Sequence, residues 1–339
     1  MIKRSLVIFC FFVILMFAGL VAILHSSWAT SRVASFFIKR SLRNAALNEL
    51  TISSQRFVFP SQLTLSDVRL RLTTNNEEYT FRFKELDIEV LREVLASSAS
   101  IPVRVTGISV DHKNIKIADG ELAGAIILRS LKFEGWQGML AIPDMEAYRY
   151  KVTNISSGVA GSVKDVSFKD LKADFYGGKI TGQVDVSWSD GVRYRSGLQF
   201  EGVNLDLLKE VDDSIHGQIE GVIGGTMTLG GSSRNFDTLG LKVQITKNGR
   251  MNASLLKFIL PYIPRTEDSV KLLEIMKVPG SKVPVEIARM DLQTVDEHKV
   301  SGNVKLGVGR LNLDLNLPID ILYDGNLFSL IEWVRKFGK

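Results

Sequence analysis

Residues 65–70 read Leu-Ser-Asp-Val-Arg-Leu, residues 83–88 read Phe-Lys-Glu-Leu-Asp-Ile, and residues 105–110 read Val-Thr-Gly-Ile-Ser-Val. Each segment has an apolar residue, two mostly polar residues, an apolar residue, a polar residue and a final apolar residue. Alternation of apolar and polar side chains is typical of a β-strand with one buried face. The polar pair shifts that alternation by one residue, which turns the later side chains to the other face unless an extra residue is absorbed locally. The pattern therefore predicts a β-bulge or a tight bend at each polar pair.

The same six-residue pattern begins again at Leu128, Val163 and Phe200, and the alternation extends from Thr51 onward. Recurrent bulges increase the twist and coiling of a sheet. The sequence therefore predicts a mainly β protein, with an elongated, curved, groove-like antiparallel or mixed sheet and a few short capping helices. Two alternatives stay open. A closed barrel would bury its interior, whereas an open sheet with an apolar face would need a cover or an apolar ligand.

An uncharged, apolar run from Ser5 to Leu24 follows Lys3 and Arg4 near the start of the chain. As a helix, a run of about 20 residues spans about 30 Å, the thickness of the hydrocarbon core of a bilayer. Positive charge before the run favours a cytoplasmic N-terminus. We therefore predict a transmembrane anchor over residues 1–27, with a single pass and the bulk of the chain exported.

The small residues around Trp28 keep a cleaved signal peptide open as an alternative to a retained anchor, and either reading exports the rest of the chain. Residues 28–50 contain no Gly or Pro and carry apolar residues at helical spacing, which predicts a juxtamembrane helix.

The exported part is predicted to comprise two β-regions, residues 51–160 and residues 161–324. Within the second region, residues 252–260 and 267–277 have helical patterns that stop at Pro261 and Pro279, so a helical hairpin is expected at about 252–277. The closing residues 325–339 form an amphipathic helical pattern. This helix could face the core, or it could lie on a membrane or a partner.

Three segments in the second region occur in a distinctive order: DLKADFYGGKITGQVDV at 170–186, GVNLDLL at 202–208 and IHGQIEG at 215–221. This order resembles the C-terminal region of the AsmA-like family of bacterial envelope proteins, in which a Tyr-Gly-Gly strand turn precedes a short leucine-rich helix and a glycine-containing strand. The residues that carry the resemblance are Tyr176, Gly177, Gly178, Gly182, Gly217 and Gly221. The membrane run and the strand start near residues 57–60 also look like the family's N-terminus.

The resemblance implies a periplasmic protein anchored in the inner membrane of a diderm bacterium, short for its family. It also implies a function in intermembrane phospholipid transport and outer-membrane biogenesis, through a β-groove lined with apolar side chains. Membrane phospholipid is then the expected partner, with envelope or outer-membrane assembly proteins as further possible partners. The alternative is a structural or scaffold protein for envelope assembly that has no lipid groove.

Alternation places ten apolar residues of the first β-region on one predicted face, where they would shelter acyl chains. Burial of one methylene group is worth about 0.8 kcal/mol, so such a surface binds acyl chains without specific contacts. The candidates are Val68, Leu70, Phe81, Phe83, Leu86, Ile88, Val103, Val105, Ile108 and Val110.

Composition and motifs give no positive sign of catalysis. The net charge is +5, and the basic residues are scattered apart from a cluster after the anchor, so nucleic acid is not an expected partner. The single cysteine, Cys10, lies in the apolar run, and none of the four histidines has metal-ligand spacing. No nucleophile elbow or phosphate loop occurs either. We therefore expect no enzyme activity, no cofactor and no metal.

Overall fold

The computed structural model of the protein describes residues 47–58, 62–74, 77–89, 98–129, 132–162, 164–188, 192–208, 219–232, 236–253, 267–278, 280–296, 298–308 and 313–322. Strands make up 86% of these residues, and the remainder includes two short helices. The protein is mainly β and its strand pairings are antiparallel, as predicted. The chain divides into two units, residues 1–148 and residues 149–339.

The first unit contains six described strands that pair in chain order, each antiparallel to the next. They are β1 (Leu47–Val58), β2 (Gln62–Thr74), β3 (Glu77–Glu89), β4 (Ser98–His112), β5 (Ile115–Arg129) and β6 (Lys132–Ala147). Among the described strands β1 pairs with β2 alone, so it forms an edge of an unclosed sheet.

The second unit continues the same plan. Its elements are β7 (Tyr150–Gly161), β8 (Asp165–Phe175), β9 (Gly178–Ser187), β10 (Arg193–Asn204), α1 (Leu205–Leu208), β11 (Ile219–Ser232), β12 (Phe236–Asn252), α2 (Glu267–Lys277), β13 (Lys282–Pro284), β14 (Ile287–Asp296), β15 (Lys299–Val308) and β16 (Leu313–Leu322). These strands also pair with their neighbours in the chain, except that β12 pairs with both β13 and β14. In the described part, β16 pairs only with β15 and forms an edge.

Two of the predicted bulges are present as shifts in strand register. Val105 and Ile108 pair with Leu122 and Gly120, so β4 has one residue more than β5 at this point. Phe200 and Val203 pair with Gly225 and Ile223, so β10 likewise has one residue more than β11. The bulged glycines Gly107 and Gly202 have φ of 62° and 73°, left-handed values that favour glycine.

At the other four occurrences of the six-residue pattern, the part of the chain that the structure describes has no bulge at the polar pair. At Ser66-Asp67 the register with β1 and β3 continues, and Asp67 accommodates the change with a φ of 49°. Around Lys84 the pairing of β3 with β2 also continues without a shift. The patterns that begin at Leu128 and Val163 coincide with the end of β5 and the start of β8, so they mark connections between strands.

The ends of two predicted helices need correction. The strand β1 begins at Leu47, so residues 47–50 are not part of a juxtamembrane helix, because this segment pairs with β2. Asn252 ends β12, so the expected helical hairpin does not begin there. The second helix of that hairpin is present as α2 at Glu267–Lys277.

Several predicted segments lie outside the described residues: the anchor, most of residues 28–50, residues 254–266 and the C-terminal helix. The boundary between the two units follows residue 148, whereas the sequence prediction divided the β-regions after residue 160, at the end of β7.

Candidate functional site

One face of the first unit is built from apolar side chains in rows that cross the strands. Directly paired residues of antiparallel strands point to the same face. The central row crosses β2 to β6 and consists of Leu65, Leu86, Val105, Leu122 and Leu140. A second row contains Leu70, Phe81, Val110, Ile117 and Met145. These rows and their neighbours on the same side are called the first apolar face.

All ten groove candidates lie on the first apolar face. The pairs Leu86–Val105, Ile88–Val103 and Val68–Phe83 join candidates of adjacent strands. Leu70, Phe81 and Val110 occupy one row, and Ile108 follows the bulge of β4. The structure therefore brings together the residues that alternation selected, including those on both sides of each polar pair.

The irregular positions keep this face continuous. Leu65 and Val68 are three residues apart, a spacing that normally separates side chains onto opposite faces of a strand. The left-handed φ of Asp67 turns the Val68 side chain back to the face on which Leu65 lies. Both side chains pack in one cluster with Phe83 and Leu86.

A lysine side chain lies over the bulge of β4 on the other face. A Cβ at Gly107 would overlap the Lys84 side chain, and Lys84 Nζ lies 2.5 Å from Asp119 Oδ1 on β5. Lys84 thus reaches from β3 across β4 to β5, and Gly107 gives it the space to do so. Asp119 itself has a φ of 56°, so Lys84 crosses one left-handed residue, Gly107 on β4, and ends at a second one on β5.

The first apolar face is only partly covered. Val68 and Val105 are 2% and 8% exposed, but the other eight candidates are intermediate in exposure. Along this face, the stacked rings of Tyr79 and His112 lie with centroids 4.3 Å apart near the turn between β4 and β5. The face therefore offers half-exposed aliphatic and aromatic surface with polar-tipped rings at one end.

The second unit has an apolar face of the same construction, called here the second apolar face. Two rows cross β8 to β15. The first consists of Leu171, Gly182, Leu198, Met227, Leu241, Leu292 and Gly302, and the second of Ala173, Ile180, Phe200, Gly225, Val243, Met290 and Val304. A Cβ at Gly225 would lie 2.8 Å from Phe200 Cζ, so the Phe200 ring covers this glycine across the strand pair.

The Tyr-Gly-Gly segment forms the two-residue turn between β8 and β9. Tyr176 and Gly177 have φ of 43° and 79°, the left-handed pair that a type I′ hairpin turn requires. Gly178 packs against the backbone of the β10 bulge, where a Cβ would overlap Glu201 O and Val203 N.

The leucine-rich helix packs onto the same turn. Asn204 N donates a hydrogen bond to Tyr176 O at 3.0 Å, and the Asn204 side chain accepts one from Asp206 N at 2.9 Å. Val203, Leu205 and Leu208 form a buried cluster with Tyr176 packed against it. The turn, the bulge and the helix are therefore one packing unit.

The remaining motif glycines have separate positions. Gly182 lies within a row of the second apolar face, and Gly221 has a φ of 124° on β11, where a Cβ would approach Lys247 O to 2.8 Å. Gly217 lies outside the described residues. Sequence reasoning missed the left-handed Asn154, Asp170 and Asn248, although Asn and Asp inside an alternating segment are the residues that tolerate this conformation.

Titratable groups in the described ranges form no metal cluster: no group of three or more His, Cys, Asp or Glu side chains could hold an ion. Burial, together with the Asp237 carboxylate, raises the pKa of Tyr194. The hydrogen bond between Lys299 and Asp320 raises the pKa of Lys299 and lowers that of Asp320. These shifts come from ordinary surface pairs and partial burial.

Among the residues that the structure describes, no helix is both long and apolar enough to cross a membrane. In comparisons with known proteins, no family model, no curated protein and no solved structure matches the chain. The class that fold and site define is thus a mainly β protein whose antiparallel sheet has an apolar face and a polar face.

Proposed function

We propose that this protein is an AsmA-like envelope protein, anchored in the bacterial inner membrane, that shelters or conducts phospholipid acyl chains along an apolar β-groove. The N-terminus would be cytoplasmic and the bulk of the chain periplasmic. In this role the protein would support intermembrane lipid transport and outer-membrane biogenesis, without enzyme activity.

The continuous rows of the first apolar face carry the proposal. Half-exposed leucine, valine and phenylalanine side chains lie on consecutive strands, with charged side chains on the other face. A large apolar surface facing water is unfavourable and marks a place where apolar matter binds. An acyl chain fits this surface because each methylene it buries gains about 0.8 kcal/mol, wherever along the rows it lies.

The bulges favour a groove over a flat sheet. Bulges and left-handed residues recur on β2, β4, β5 and β10, and such positions add twist and coiling. Coiling towards the apolar side would give the elongated, curved form that the sequence predicts, with the lipid headgroups left in water.

We expect photo-crosslinking to separate lipid contact from a scaffold role. A photoreactive amino acid at Phe83 or Val103, both half-exposed on the first apolar face, should give phospholipid adducts in cells, identified by mass spectrometry of the purified protein.

The neighbouring Arg82 and Arg104 are exposed on the other face and serve as matched control positions. Lipid adducts at Phe83 or Val103, and none at the two arginine positions, support the groove. Equal adduct yields on both faces, or no lipid adducts at any position of the first apolar face, would contradict the groove. Protein adducts instead of lipid adducts would favour the scaffold alternative.

Topology has its own prediction. Thr181→Cys, placed at an exposed strand position in a Cys10→Ser background, should react with a membrane-impermeant maleimide once the outer membrane is permeabilised. The measurement is gel-shift labelling of intact cells, with a cytoplasmic protein as the unreacted control. Labelling that begins only when the inner membrane is lysed would refute periplasmic exposure.

A further inference from the structure

Lys242, Arg289 and Lys305 surround a polar depression of about 390 Å³ on the face opposite the second apolar face. Each follows a residue whose side chain lies on the apolar side: Leu241, Ala288 and Val304, respectively. Because successive side chains of a strand point to opposite faces, the three cations project from the polar side. The depression therefore lies across the sheet from the second apolar face.

The charges of this depression are not balanced. Arg289 of β14 lies directly opposite Lys305 of β15, and like charges in such a pair repel. One carboxylate lies among them: Asp291 Oδ2 is 3.7 Å from Lys242 Nζ and 3.9 Å from Arg289 Nη2. Within the described residues, Lys305 Nζ has neither an ion pair nor a hydrogen bond. Three positive charges and one negative charge leave a net charge of +2.

Neutral hydrogen-bonding groups complete the lining. The side-chain amides of Gln293, Asn303 and Asn316 face the depression, and Gly302 contributes no side chain to it. Each amide offers two N–H donors, and the cations offer donors only. The lining is therefore rich in donors and suits an anion with several oxygens.

From this arrangement we propose that the depression binds a phosphate group through Lys242, Arg289 and Lys305. A phosphate monoester carries a charge of about −1.5 to −2 at neutral pH, which matches the local excess, and it presents three acceptor oxygens. Arginine binds such oxygens in a bidentate manner, whereas lysine acts as a point charge. The site shares no residue with the proposed lipid groove, whose candidates all belong to the first unit.

The test is calorimetric titration of the full chain, purified in nonionic detergent, with inorganic phosphate at constant ionic strength. The double variant Arg289→Gln/Lys305→Gln should bind phosphate at least about tenfold more weakly, because two charge-assisted hydrogen bonds are lost. The matched control Lys169→Gln/Lys172→Gln removes the same charge from exposed positions on β8 and should bind as the unaltered protein does.

Asp291→Asn gives a test of opposite sign. Removing the carboxylate that lies among the cations of the depression frees Lys242 and Arg289, so phosphate binding should tighten about threefold, an effect that salt should weaken. This variant also keeps the proposal testable if the double variant does not fold, in which case Lys305→Gln alone replaces it.

A second series distinguishes the sources of the phosphate. A water-soluble, short-chain phosphatidic acid that binds no more tightly than inorganic phosphate indicates a soluble ligand, and one that binds more tightly indicates a lipid headgroup. Both results support the site. Absence of saturable binding of either probe, or equal weakening by the double variant and its control, would overturn the proposal.

Discussion

Replacing Val300 with aspartate is expected to lower the free energy of unfolding of the second unit by more than about 4 kcal/mol, the range reserved for buried charges and core cavities. Val300 is fully buried at 0% exposure, packed with Leu239, Leu292 and Ile321. A carboxylate there would have no water and no cationic partner in that cluster. Urea unfolding of the full chain in detergent, followed by circular dichroism, measures the effect.

The neighbouring strand offers a matched control. Val295→Asp introduces the same carboxylate at a side chain that is 60% exposed, and should change the stability by less than about 0.5 kcal/mol. Val300→Ala should lie between them, near about 2 kcal/mol, since it removes two methyl groups without adding a charge. Equal effects of the two aspartates would mean that the C-terminal strands do not pack as described.

Gly178→Ala is expected to cost about 2–3 kcal/mol, the range typical of overpacking. The added methyl group would overlap Glu201 O and Val203 N, which belong to the bulge of β10. Because this backbone also starts α1, the turn, the bulge and the helix must move together. Hydrogen exchange should rise in β9, β10 and α1, and the unfolding midpoint should fall.

Gly197 provides the control for this substitution. It lies on β10, the strand that Gly178 approaches, but a Cβ at Gly197 would meet no atom within 4 Å. Gly197→Ala should therefore be neutral or slightly stabilising, because alanine restricts the unfolded chain. If both alanine variants were equally stable, the close approach of the turn to the bulge would be refuted.

Much of the strand structure follows from local pattern. Alternation from Thr51 onward predicts strands, and 86% of the described residues are strand; the helical pattern at 267–277 is present as α2. Two bulges were predicted from polar pairs that contain a glycine, Thr106-Gly107 and Glu201-Gly202. The glycine in each pair allows the bulge, because glycine adopts the left-handed backbone conformation of a bulge without strain.

Other features required the three-dimensional pairing. The segment Leu47–Leu50 has a helix-compatible sequence, yet it is a strand because β2 supplies its hydrogen-bond partners. Tertiary pairing overrides weak local preference in this way. The six-residue patterns that begin at Leu128 and Val163 look like bulges in the sequence but mark connections between strands. Alternation breaks at a connection just as it does at a bulge, because one strand ends there and another begins.

The two candidate surfaces differ in how far sequence could predict them. The first apolar face depends on which side chains alternate, so its ten residues could be selected from short segments. The polar depression depends on register: Arg289 faces Lys305 only because β14 and β15 pair as they do. In sequence these residues are scattered charges on separate strands, and nothing in their local pattern indicates that they converge.

Because strands pair with their neighbours in the chain, the protein can fold locally and its sheet can be lengthened by added hairpins. Each hairpin finds its partners within a short stretch of sequence, so the loops that must close are small and folding can proceed hairpin by hairpin. Such an architecture resembles a repeat protein, whose stability is a sum over adjacent modules. Duplication of one hairpin would add a module with few distant contacts to disturb, so evolution could adjust the size of this protein in steps of two strands.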